Sequence, residues 1–82
     1  MPAKLIKRTQ TGVRIEASLL KVLKALAEYL DMSLGDLLEG MVLHCFEGKA
    51  PFGDETLTAI VGLKKVYGCD LDASHSHQMK EN

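Results

Sequence analysis

Residues Thr9 to Ile15 read T-Q-T-G-V-R-I, with β-branched side chains at 9, 11, 13 and 15 alternating with Gln10, Gly12 and Arg14. That period of two is the mark of a β-strand. Val13 and Ile15 set the buried parity, so Thr9 and Thr11 share their face while Arg8, Gln10, Gly12 and Arg14 occupy the other. Gly12 weakens the strand and leaves room for another backbone to come close. A lone strand leaves its N–H and C=O groups unpaired and one apolar face uncovered, which most constrains the fold. The pattern predicts a second copy of the chain, with two strands pairing antiparallel across a two-fold axis and helices covering the apolar side. Length points the same way: 82 residues give one small core, and a domain of this size without a disulfide scaffold gains stability by oligomerising.

Helical periodicity follows the strand. From about Ala17 to Leu30, the residues Leu19, Leu20, Val22, Leu23, Leu26, Tyr29 and Leu30 recur at steps of three and four, with Lys21, Lys24 and Glu28 on the opposite side. Glu16, Ala17 and Ser18 are all candidates for its N-cap. Ser33 opens a second helix with Asp36 three residues on, a variant capping box in which Asp36 bends back towards the start. Leu34, Leu37, Leu38, Met41, Val42, Cys45 and Phe46 form its apolar face, and Gly48 stops it, with Pro51 shortly after. Asp54 caps a third helix over about Glu55 to Tyr67, striped by Leu57, Ile60, Val61, Leu63 and Tyr67. Gly68 ends it, and a polar tail remains. The expected fold class is mainly α, with one short strand.

Taken together, the residues V-R-I-E-A-S-L-L-K-V-L-K-A-L-A-E-Y-L-D-M-S-L-G-D-L-L-E-G-M-V resemble the ribbon-helix-helix family of DNA-binding proteins, of the MetJ, Arc and CopG type, over about residues 9 to 47. The resemblance implies an intertwined homodimer whose two-stranded ribbon enters the DNA major groove. Residues 1–48 would be the dimerisation and DNA-binding domain, and residues 49–82 a linker, third helix and tail packed on it or extending from it. The outward strand positions fall on Gln10, Gly12 and Arg14. Arg14 would bond guanine O6 and N7 and Gln10 adenine N6 and N7, whereas Gly12 lacks the polar side chain usual in the family. The start of the second helix, at Ser33, Leu34 and Gly35, would hold a phosphate, and Lys4, Lys7 and Arg8 would meet the flanking backbone. Val13, Ile15, Leu37, Leu38, Met41, Val42 and Cys45 would form the dimer core.

Charge is divided along the chain. Residues 1–27 carry six basic side chains against one acid, a net of +5, while residues 28–82 carry four lysines against ten acids, a net of −6. Such asymmetry suggests a basic arm that faces a polyanion. The expected function is a dimeric, sequence-specific DNA-binding repressor. Two alternatives stand beside it: an antitoxin-like adaptor gripping a protein partner through residues 54–67, and a dimerisation module without DNA.

Other chemistry finds little support in the sequence. No phosphate-binding loop, dinucleotide fingerprint or H-E-x-x-H motif occurs, so no enzyme and no cofactor are expected. Asp70, Asp72, His75, His77 and Cys69 could ligate a metal, but their spacing matches no closed site. Cys45 and Cys69 suit a reducing compartment. No stretch approaches the roughly 18 apolar residues of a membrane span, and the basic N-terminus lacks a signal-peptide apolar run. A cytoplasmic location is expected.

Overall fold

A computed structural model describes residues 3–82. Three helices of equal length, α1 (Ala17–Tyr29), α2 (Leu34–Phe46) and α3 (Asp54–Val66), precede a single 3₁₀ turn at Ala73–His75. The expectation of a mainly helical chain holds. The expected N-terminal strand does not, because among the described residues there is no strand, and the two-stranded ribbon is withdrawn with it. Alternation fixes which side chains share a face, but a strand forms only where its backbone bonds to a neighbour. Residues 9–15 donate and accept none of the backbone–backbone bonds seen among the described residues.

The starts of α1 and α2 follow local chemistry, whereas α3 is capped by Gly53 without a side-chain hydrogen bond, and Asp54, expected as its cap, is its first helical residue. At α1 the cap is Glu16, whose Oε1 accepts from the Leu19 amide at 2.9 Å and from the Ser18 hydroxyl at 2.6 Å. At α2 the Ser33 hydroxyl accepts the Asp36 amide at 3.1 Å, satisfying one of the amides left free in a first helical turn. The reciprocal half of a capping box is absent among the described residues, and Asp36 turns outward.

All three helices end in the same motif. The second residue past the helix cap reaches back five positions, as in Lys49 N–H to His44 C=O (2.9 Å), Cys69 to Lys64 (2.8 Å) and Met32 to Ala27 (3.0 Å). This closure needs a left-handed residue in between. Gly48 (φ 68°) and Gly68 (φ 64°) supply it for α2 and α3, whereas Asp31 (φ 57°) supplies it for α1.

The central helix is α1, which packs against both α2 and α3; these two make no direct helix–helix packing. Leu26, Ala27 and Leu37 form the buried cluster, with Leu23, Leu30, Met41, Phe52, Ile60 and Leu63 against it. Phe52 brings the α2–α3 linker into this core. Val22 and Cys69 are also buried.

That core is thin for the surface around it. The accessible area is 7217 Å², whereas a folded monomer of 9.0 kDa exposes roughly 4,900 Å². The Cα radius of gyration is 14.1 Å, against roughly 12 Å for a compact domain of this length. Phe46 (82%), Leu43 (63%) and Val61 (54%) stand largely in solvent. The irregular arm and tail contribute to this area, and α2 and α3 also leave apolar side chains uncovered.

Candidate functional site

The basic arm, residues 3–16, has no regular structure and reaches α2 through Arg8. Lys4, Lys7, Arg8, Gln10, Gly12 and Arg14 are all exposed. A Cβ built on Gly12 meets nothing within 4 Å, so no backbone comes close there within the chain.

Both arginines are occupied. Arg8 forks onto Glu39 of α2, Nε donating to Oε2 at 3.0 Å and Nη2 to Oε1 at 2.9 Å. Its Nη2 also lies 3.8 Å from Asp36 Oδ1. Arg14 pairs with Glu81 of the C-terminal tail. The Arg8 hydrogen bond is the chief reason the Glu39 carboxyl is held below the usual glutamate range. Glu16 is lowered too, first by the Ser18 hydroxyl and then by the amides at the start of α1.

At the start of α2, Ser33 and Gly35 are exposed and Leu34 is half-buried. The Ser33 hydroxyl is engaged as the cap. Asp36 and Glu39 place two carboxylates beside this turn and draw Arg8 to it, so its surroundings differ from the open anion cradle that Ser33, Leu34 and Gly35 would form alone.

The residues expected in a dimer core are spread over several environments. Leu37 is buried within the chain, and Leu38 and Met41 are half-buried. Val42 and Cys45 are exposed on α2. Ile15 is half-buried at the root of the arm, and Val13 is 76% exposed. In α3, Ile60 and Leu63 turn inward to the core while Leu57 and Val61, one turn apart, face solvent.

The tail's ligand-type residues do not converge. Asp72 caps the 3₁₀ turn, accepting from the Ser74 amide at 2.9 Å and the Ser74 hydroxyl at 2.5 Å, and the Ser74 hydroxyl is the first cause of its lowered pKa. The Asp72 amide donates to His75 Nδ1 at 3.0 Å, and Cys69 is buried. Among the described residues no group of three His, Cys, Asp or Glu side chains is placed to hold a metal ion, and no helix is long and apolar enough to cross a membrane.

Sequence reasoning missed Glu39, Glu81 and Phe52. The two acids look like ordinary solvated charges locally, since their partners lie 31 and 67 residues away. Phe52 had one signal, as the only large apolar residue in the linker. No protein-family model, curated protein or solved structure is significantly similar to the chain.

Proposed function

We propose that the chain is a homodimeric DNA-binding regulator that represses by occupying an operator, with the N-terminal arm as its DNA-contacting element. The observation that carries this reading is the arm itself: Lys4, Lys7, Arg8 and Arg14 within eleven positions, all exposed, on an otherwise acidic chain. Lysines in such an arm suit phosphate contacts that fix position, and Gln10 and Arg14 offer the paired groups that read base edges. The large apolar surface left by one copy supports the dimer.

A salt titration of binding to duplex DNA tests the reading. Affinity should fall steeply with ionic strength, Lys7→Ala should weaken all sequences alike, and Arg14→Ala should weaken the preferred site most. Absence of binding at low salt, or affinity indifferent to Arg14→Ala, would reject it.

A second reading has one specific support, the exposed Leu57 and Val61 of α3. An adaptor that gripped a protein partner through residues 54–67 would use this pair as its anchor. Co-purification of a partner, lost in Leu57→Ser/Val61→Ser, would favour it over the DNA reading.

A further inference from the structure

We propose that the chain's own carboxylates mask its DNA-contacting arginines, with Glu39 and Asp36 of α2 holding Arg8 and Glu81 of the tail holding Arg14, so that DNA must displace them to bind. This rests on the DNA-binding reading above and adds an internal competitor to it.

Selectivity of the pairing is the first argument. The chain has two arginines, both lie in the arm, and both are paired with acids far away in sequence. The ion pairs among the described residues include neither Lys4 nor Lys7. Chance solvation of a basic arm by an acidic body would take lysines as readily as arginines.

Geometry is the second. Glu39 engages Arg8 through Nε and Nη2 together, the same planar fork that a guanidinium presents to a phosphate or to the paired acceptors of a guanine edge. Glu39 closes the Nε/Nη2 edge and leaves only Nη1 and the outer Nη2 hydrogen, so DNA that takes this edge must displace the carboxylate. Asp36, close by, adds to the attraction for Arg8 and repels an incoming phosphate at the start of α2.

The tail contact sits at a cleft. Met79, Lys80 and Glu81 line one side of a shallow cleft whose other side is Arg14, Ile15, Glu16 and Ala17. The end of the tail thus faces the root of the arm across this cleft, and Arg14–Glu81 bridges it. With Arg8 held on α2 and Arg14 on the tail, the arm is fixed at two points.

The test is the affinity for random-sequence duplex DNA at low salt, measured for the wild type, Glu39→Gln, Glu81→Gln and a chain ending at Gln78. Glu55→Gln on α3 removes an equal charge that pairs with no arginine, and serves as the control. Exposed pairs of this kind predict a gain of about two- to fivefold for each masking variant over the control, multiplying when Glu39→Gln and Glu81→Gln are combined. The gain should shrink as salt rises, because the internal pairs are screened as well. Masking variants that bind no better than Glu55→Gln, while the wild type binds, would overturn the mask and leave the DNA reading standing. No binding by any form would overturn both. The tail variants leave the helical core untouched, so a folding defect in Glu39→Gln does not remove the test.

Discussion

Leu37 is the one α2 residue that is fully buried, and it shares its cluster with Leu26 of α1, the most buried residue of that cluster at 2% exposure. Because α2 and α3 do not pack on each other, this α1 seam holds the two outer helices together. Leu26→Ala removes the seam's centre. Such truncations cost about 2–5 kcal/mol, comparable to the roughly 3–5 kcal/mol that one small core supplies. Chemical denaturation should therefore find Leu26→Ala largely unfolded at a temperature where the wild type is folded.

Two glycines should respond to alanine with opposite signs. Gly48 sits at φ 68° in the closure of α2, where a Cβ is strained, and Gly48→Ala should cost about 1 kcal/mol. Gly62 lies inside α3 with nothing within 4 Å of a built Cβ. Gly62→Ala should stabilise by a similar amount, about 1 kcal/mol. Thermal melts of the two variants check both signs together.

Ser33 has a defined structural job independent of any ligand, since its hydroxyl accepts the Asp36 amide at 3.1 Å. Ser33→Ala should cost about 1 kcal/mol. If the hydroxyl also touched DNA, affinity would fall further than the stability loss explains. Comparing the melt with DNA affinity under fully folded conditions separates the two roles.

The helices were legible because their signals are local. Ser33, Gly48 and Gly68 mark ends that the backbone geometry bears out, and apolar spacing places α1, α2 and α3 within a residue or so. The strand failed for a complementary reason. Thr9 to Ile15 carry the right alternation, yet alternation describes side chains and a strand is a relation between two backbones. Which partner covers the α2 stripe is not a local property either: within one chain α1 meets it only at Leu37 and its half-buried neighbours, leaving Val42 and Phe46 outside. Arg8 with Glu39 and Arg14 with Glu81 lay beyond any periodic reading, because no local rule links positions so far apart.

Glu39 should report its pairing as pH falls. Its carboxyl is held below the ordinary glutamate value of 4.5, chiefly by the Arg8 hydrogen bond. A depressed folded pKa means that the stabilising contribution is present above the unfolded value and lost as pH drops through the folded one. The arm should therefore remain on α2 at neutral pH and detach only below about 4.5. An NMR titration of the Glu39 carboxyl should give a midpoint below 4.5, returning towards it in Arg8→Ala. An unchanged midpoint in that variant would show that the fork does not persist in solution.

The excess surface calls for a second copy of the chain. An area of 7217 Å² exceeds that of a compact monomer by roughly 2,300 Å² per chain, and obligate homodimer interfaces bury roughly 1,000–2,500 Å² on each partner. Two copies meeting through the open side of α2, where Val42, Leu43 and Phe46 are exposed, would remove much of that excess. Burial of this kind makes stability depend on concentration, because the folded state gains a partner that the unfolded state lacks. The melting temperature should rise with protein concentration, and sedimentation should give twice the 9.0 kDa chain mass. Phe46→Asp should abolish both effects, since it would place a charge in an apolar interface while being harmless on a free surface. A chain that sediments at 9.0 kDa at every concentration, with Phe46→Asp melting like the wild type, would show that these helices face water and that the chain does not dimerise through α2.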